Sequence, residues 1–362
     1  MDCPTPTLSS NVDFMNAFNA RIVAERIPYS GSFELTRRCN LKCVHCYCGD
    51  RAIATAPNRW PDEVSTDAAC DYLSQTADAG CLFMLLTGGE PLLRPDFAAI
   101  YRHAKSCGFL ISLFTNGTVV TDSLVELFRE LPPHGIEISV YGASPGTYER
   151  VTGHAGAYRR CREGIDRLLD AGVNVKLKTI LMQGNRSEFS EIEALARSLG
   201  LQFRFDSGIT GRMDGDVTPL DVRVPAKEIA ALEFTDSDRI QGWKEWVERK
   251  NGTPRPERLY NCGAGVTAFH IDASGWLRPC PSNETLGWDM AQDGFLAAWR
   301  KMSEAIAGLR APDGLECNRC PDRDLCTWCP AFAQLEGQAQ VGPVRFLCEV
   351  AAARRKQLEA AG

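Results

Sequence analysis

Four cysteines fall at positions 39, 43, 46 and 48, inside the stretch ELTRRCNLKCVHCYC. Thiolates serve as redox pairs, nucleophiles and metal ligands, and each use sets its own spacing. Cys39, Cys43 and Cys46 follow C-x3-C-x2-C. A thioredoxin-like redox pair needs only two of them. A zinc ion takes four donors in a closed tetrahedron, and His45 or Cys48 could complete that number. Alternating residues such as Cys46 and Cys48 rarely aim at one small ion. Three thiolates can instead hold three corners of a [4Fe–4S] cube and leave the fourth iron open, which is what a reactive cluster needs.

Seven more cysteines lie toward the C-terminus: Cys262, Cys280, Cys317, Cys320, Cys326, Cys329 and Cys348. The segment CNRCPDRDLCTWC reads C-x2-C-x5-C-x2-C, a pairing that zinc ribbons share. Seven is an odd count for sites closed by four cysteines each. Cys3, Cys70, Cys81, Cys107 and Cys161 are scattered and read as small buried apolar residues.

Composition narrows the use of these thiols. Of 362 residues, 44% are apolar and 24% charged, the balance of a globular chain that buries a large core. The net charge is −6 and no dense Lys/Arg run occurs, so a nucleic-acid footprint is absent. No apolar run approaches the ~20 residues of a membrane span. The N-terminal MDCPTPTLSSNVDFMNAF lacks a charged region followed by an apolar core, so no secretory signal is expected. The expected compartment is the cytoplasm. In that reducing setting, 16 cysteines point to metal or catalysis rather than to disulfides.

The elements that must position the first thiols can be read from periodicity. Six β-type runs appear in order: SFEL (32–35), CLFMLLT (81–87), FLISLFT (109–115), IEISVY (136–141), VNVKLKTIL (173–181) and LQFRF (201–205). Several are apolar on consecutive positions, which suits strands covered on both faces. Helical patterns separate them, opened by Pro95, Thr121 or Asp122 and closed by glycines such as Gly80, Gly108, Gly172 and Gly200. Such a series predicts a parallel sheet with right-handed crossovers and its active site on the loops after the strands. The three-cysteine loop follows the first strand. After Phe205 come a loop-like stretch, a helical region and GTPRPERLYNCGAG, a linker into a smaller Cys-rich module. There VTAFHIDASGWLRPC alternates around DASG and predicts a hairpin. The end, PVRFLCEVAAARRKQLEAAG, reads as a helix. No internal repeat and no low-complexity tract occurs.

C-x3-C-x-aromatic-C after the first strand resembles the radical S-adenosylmethionine (SAM) superfamily, with His45 at the aromatic position and Tyr47 after the third cysteine. Further stretches fit the resemblance in strand order. TGGEP (87–91) ends the second strand, where Gly88 and Gly89 let a ligand approach and Glu90 offers an acceptor to the SAM ammonium. FTNGT (114–118) and SVYG (139–142) supply Asn116 and Ser139 for ribose or carboxylate oxygens, and Tyr141 stands where the family often has an acid. Lys178 ends the fifth strand within reach of the SAM carboxylate. The resemblance implies an α/β fold, a partial (β/α)6 barrel of the TIM type with a C-terminal Cys-rich SPASM module. The implied divisions are an N-terminal extension (1–30), the barrel (31–210), a helical linker (211–255) and the SPASM domain (256–362).

It also implies three [4Fe–4S] clusters. Cys39, Cys43 and Cys46 would hold the SAM-cleaving one. Cys317, Cys320, Cys326 and Cys348 would hold one auxiliary cluster, and Cys262, Cys280 and Cys329 the other. The family's last gap, C-x3-C, is one residue shorter here. Cleaved SAM gives a 5′-deoxyadenosyl radical that takes hydrogen from a substrate. SPASM enzymes mostly act on peptides, so a peptide substrate is expected, with a reductase such as flavodoxin or ferredoxin. Pro281 stands where a sulfatase-maturing enzyme would carry Asp. Only 32 residues precede Phe33, too few for a winged-helix leader-binding domain. A separate leader-binding protein, or strand addition to a sheet edge, would take that role. Two other classes compete: a tetrapyrrole- or carbohydrate-modifying relative, and a non-catalytic iron–sulfur or zinc scaffold. TGGEP beside the cysteine loop argues against the scaffold, which needs no cosubstrate pocket.

Overall fold

The computed structural model describes residues 11–48, 63–250, 258–337 and 341–361. Cys3 and the expected boundary at 255/256 lie outside the described residues. Six parallel strands run in chain order: β1 (Ser30–Glu34), β2 (Phe83–Thr87), β3 (Leu110–Thr115), β4 (Gly135–Ser139), β5 (Val175–Ile180) and β6 (Gln202–Asp206). Helices cross between them, as the expected βα series requires. The mixed α/β fold is the partial barrel anticipated above.

The strands bury one face rather than two. Ile111 and Leu113 of β3, Ile136 and Ile138 of β4 and Leu177 of β5 are 0% exposed. They pack under helices through Phe97, Ile100, Ile165 and Ile192. Each such side chain contributes about 1.5–3 kcal/mol by leaving water. The alternate positions Ser112, Glu137, Ser139 and Lys178 are half-buried, because the concave face of the sheet is a polar interior. The helix starts are capped as side chains dictate: Ser65 accepts from the Ala68 amide and Thr121 from the Leu124 amide.

The C-terminal segment does not stand apart from this sheet. The hairpin predicted around DASG forms from β7 (Ala268–Ile271) and β8 (Trp276–Arg278), followed by β9 (Trp288–Asp289). β7 pairs parallel with β1, which makes one nine-stranded sheet in the order β6-β5-β4-β3-β2-β1-β7-β8-β9. Gly31 permits this pairing, since a Cβ there would meet the Phe269 ring at 2.3 Å. At the other side, helix Arg345–Ala360 returns onto helix Ala226–Glu233 through a buried Arg354–Glu233 ion pair of 2.6 Å. Helix Pro145–Thr152 carries a local signal, a Pro-Gly start behind the Ser144 cap, but is too short for a periodic pattern. Among the described residues no helix is long and apolar enough to cross a membrane.

Candidate functional site

The loop after β1 carries the first cysteines and is clamped from below. Arg38 and Glu63, 5% and 2% exposed, pair at 3.1 Å, and Thr36 Oγ1 donates to Glu63 as well. Arg94 donates to the Leu35 carbonyl at 2.7 Å and the Val64 carbonyl at 2.8 Å. The end of β2 lies directly against this loop. The amides of Gly89 and Glu90 donate to the Thr36 and Arg38 carbonyls at 2.9 and 2.8 Å. A Cβ on Gly88 would stand 2.3 Å from Thr36 O, and one on Gly89 2.4 Å from Arg38 O. The double glycine therefore serves backbone-to-backbone contact with the cysteine loop. Gly88→Ala also meets a positive φ of +150°. Strain and overpacking together are expected to destabilise the fold by about 2–4 kcal/mol, read as a lower thermal midpoint.

Cys39, Cys43 and Cys46 are mutual electrostatic neighbours. Burial pushes the Cys39 thiol up to about 12 and Cys43 well above its ordinary value. Cys46 runs the other way, to about 7, because a hydrogen bond with Cys48 favours its thiolate; the same contact pushes Cys48 up. Cys48 thus hydrogen-bonds Cys46. His45 packs edge-on against Tyr141 at 4.6 Å, and burial drops its imidazole to about 4. Tyr47 is 37% exposed, and its carbonyl accepts from the Met213 amide at 2.8 Å.

The other expected contacts gather around the same loop. Glu90 is fully buried. Its Oε1 accepts from Thr115 Oγ1 at 2.7 Å and the Leu92 amide at 3.2 Å, and its Oε2 from the Asn116 amide at 2.7 Å. Burial still raises it to about 7. Asn116 is committed to the cysteine loop. Its Nδ2 donates to Asn40 at 2.9 Å and lies 3.9 Å from Cys39 Sγ, and its Oδ1 accepts from the Thr118 amide and hydroxyl. The Ser139 side chain neighbours the Tyr141 hydroxyl. Lys178 stands 2.9 Å over the Phe114 ring, and burial lowers it to about 7 against the pull of Glu137 and Glu90.

The C-terminal thiols fall into two further neighbourhoods. Cys280, Cys329 and Cys262 sense one another, with Tyr260 beside all three. Cys326 senses Cys348, Cys317 and Cys320, and Cys348 senses Cys320. Burial raises Cys280 to about 12 and Cys326 to about 11. Among the described residues no three His, Cys, Asp or Glu side chains converge as around a single metal ion.

Comparison with known proteins follows this geometry. Residues 33–199 match the family described as the radical SAM superfamily. A PqqA peptide cyclase of Rhizobium meliloti is 31% identical over 305 residues, covering 81% of this chain and 79% of the relative. The chain belongs to the radical SAM superfamily. An AdoMet-dependent heme synthase of Methanosarcina barkeri is 29% identical over 333 residues, 86% of this chain and 94% of the relative. The fold is that of Streptococcus suis SuiB, solved with its precursor peptide SuiA, at TM-score 0.69 and 15% identity, covering 96% of this chain and 83% of that one. This radical SAM chain is thus an enzyme, and its C-terminal module is of the SPASM type.

Sequence reasoning missed a polar group at the mouth of the radical SAM barrel. A small cavity there is lined by Glu34, Tyr47, Thr87, Gly88, Met213, His270 and Pro281. It lies between Tyr47, next to Cys46, and Pro281, next to Cys280. Burial raises Glu34 to about 7. Its Oε2 meets the Ala273 amide at 3.4 Å and Arg37 at 3.7 Å. His270 is 4% exposed, with Nδ1 2.9 Å from Ser32 Oγ. Arg37 and Arg278 reach Asp272 at 3.6 and 2.6 Å, tying β1 to the hairpin. A charged residue within a strand reads as solvated, and only the pairing of β1 with β7 turns Glu34 and His270 toward one space.

Proposed function

We propose that this enzyme takes hydrogen from a residue of a peptide and so directs a cross-link or oxidation. Cys39, Cys43 and Cys46 would hold a [4Fe–4S] cluster with one iron left for SAM. When reduced, such a cluster supplies the electron that splits SAM into methionine and a 5′-deoxyadenosyl radical. The donor set fits in its chemistry: three thiols in the loop after β1 are electrostatic neighbours of one another, and Cys39 neighbours the buried carboxylate of Glu90. Glu90, Ser139 and Lys178 line the polar interior and would orient SAM, its ammonium on Glu90 and its carboxylate toward Lys178. Asn116, Gly88 and Gly89 act one step back, holding the cysteine loop and Glu90 in register. His45 and Tyr47 flank the third thiol. Cys317, Cys320, Cys326 and Cys348 would hold one auxiliary cluster. Cys262, Cys280 and Cys329 would hold a second with an iron open to water or substrate.

The likeness to a PqqA peptide cyclase, 31% identical over 81% of this chain, carries the peptide reading. Beside the cysteine loop, Glu34 and His270 offer groups that accept hydrogen bonds from amides and hydroxyls. The heme synthase relative keeps a tetrapyrrole as the second reading. A reductase and a separate leader-binding protein would complete the system.

The test is co-expression with short peptides encoded beside this gene, followed by mass spectrometry. A peptide that loses hydrogen mass, with 5′-deoxyadenosine formed alongside, is the expected result. Unchanged peptides, together with consumption of a carboxylated tetrapyrrole by the reconstituted enzyme, would transfer the assignment to the second reading.

A further inference from the structure

The sheet ends at β6, and Phe205 of that strand also walls a cavity of about 420 Å³. The Asp206 carbonyl accepts from the Leu181 amide at 2.7 Å. In a parallel ladder alternate residues turn their backbone groups to the same side. Gln202, Arg204 and Asp206 therefore bond β5, while Phe203 and Phe205 point N–H and C=O to the open edge. Among the described residues those four groups have no hydrogen-bond partner. An unpaired row of this kind is a template for another extended chain. The opposite end of the sheet offers less, since β9 spans two residues and runs straight into helix Met290–Gly308.

The cavity lies between β6, helix Ser237–Lys250 and the Cys-rich module, whose Leu325 and Cys326 reach its wall. That helix buries none of its residues. Its Trp243 and Trp246, one turn apart, make an aromatic lining with Phe205. Both indoles are held in place. Trp243 stacks on Phe234 at 6.0 Å, and Trp246 Nε1 donates to the Asp324 carbonyl at 2.8 Å. Trp246 is nonetheless 41% exposed, so much of its apolar surface still faces water. Gly242 leaves the space open, because a Cβ there would meet nothing within 4 Å. Of the charged walls, Glu233 pairs with Arg354 at 2.6 Å and Arg239 with Glu193. What the cavity offers a ligand is aromatic surface, which suits another ring.

We propose that an extended segment of the peptide substrate adds to the free edge of β6 and places an aromatic side chain in this cavity. The inference rests on the peptide reading. The backbone groups of Phe203 and Phe205 supply the strand hydrogen bonds, and burial of the ring selects the segment. Successive side chains of a strand alternate between faces. Arg204, between the two phenylalanines, pairs with Glu137 at 2.6 Å on the polar interior side. A neighbour of the anchored aromatic residue therefore turns toward the interior that holds Lys178. Phe205 stands one residue before the end of β6, on the side where the cysteine loop follows β1. The segment thus leads into the barrel mouth, and its spacing from the anchor decides which peptide residue meets the first cysteine group.

The test uses a fluorescein-labelled synthetic copy of the peptide encoded beside this gene, titrated against the loaded enzyme without SAM. Gly242→Leu fills the cavity from a helical position that has room for it. It should weaken binding by about tenfold or more, the scale of one buried aromatic anchor, and leave iron content and dithionite-driven SAM cleavage as in the parent. A peptide copy with alanine for its aromatic residues should lose the same factor, and the two losses should not add. Residue-resolved amide exchange of the parent should slow at Phe203 and Phe205 when peptide is added, and not at Arg204 or Asp206, whose amides already bond β5. If Gly242→Leu loses iron, the alanine peptide and the exchange measurement on the parent decide. Parent-like affinity in Gly242→Leu, unchanged exchange at Phe203 and Phe205, or a converted peptide that has no aromatic residue overturns the inference and leaves the peptide reading standing. A parent that neither binds nor converts any neighbouring peptide overturns that reading and the inference with it.

Discussion

Alanine at Cys39, Cys43 and Cys46 together is expected to abolish 5′-deoxyadenosine formation and to remove the irons of one [4Fe–4S] cube, leaving the C-terminal sites loaded. The expectation follows from ligand count: a cube held by three thiols loses every protein bond when all three go. Cys48→Ala is the informative control. Cys48 hydrogen-bonds Cys46 and lies outside the C-x3-C-x2-C set, so the cluster should assemble without it. Hydrogen bonds to cluster sulfurs help set the reduction potential. Losing this one should move the first cluster to a lower potential while SAM cleavage with a strong reductant continues. Iron analysis, spectropotentiometry and chromatography of the nucleoside separate the two variants. A Cys48→Ala protein that loses both iron and cleavage would make Cys48 a ligand and remove the open iron from this reading.

How far the chain explains itself depends on how local each signal is. The six strands and their crossover helices follow from apolar runs, caps and closing glycines within windows of about 15 residues, so the parallel sheet could be read directly. The first three thiols share a single loop, and their spacing alone suggests a site. The C-terminal neighbourhoods are different. Cys329 lies far along the chain from Cys262 and Cys280, and no periodicity links them; only a family resemblance set them out. The same limit hid the parallel β1–β7 pair, because a hairpin signal names its own two strands and not the sheet it joins. It hid Glu34 and His270, whose shared cavity exists only across that pair. Gly88 and Gly89 show a subtler limit. They read as room for a ligand to approach, whereas their use against the Thr36 and Arg38 carbonyls is a packing fact that only folded coordinates carry.

Glu90→Gln is expected to weaken SAM binding by roughly ten- to a hundredfold while leaving iron content unchanged, since a charge-assisted hydrogen bond contributes about 1.5–3 kcal/mol. The carboxylate already accepts from Thr115, Leu92 and Asn116, and it is fully buried. Desolvation holds it near pKa 7, so three neutral donors leave its charge only partly compensated. A cationic ammonium arriving beside it would complete that compensation, and the site should favour a ligand bearing one. Glutamine keeps the shape but removes the charge and turns one oxygen into a donor. That donor would face the Asn116 amide or the Thr115 hydroxyl, so some loosening of the β3 end is expected as well. Two measurements separate these effects. Calorimetric titration with SAM reads the loss of affinity. The same titration with decarboxylated SAM, S-adenosyl-3-methylthiopropylamine, which keeps the ammonium and sulfonium and lacks the carboxylate, reads whether the ammonium contact is the one lost. If Glu90 holds the ammonium, both ligands weaken alike. If SAM affinity is unchanged in the variant, Glu90 is a structural acceptor for the loops that follow β2 and β3, and the ammonium must be held elsewhere.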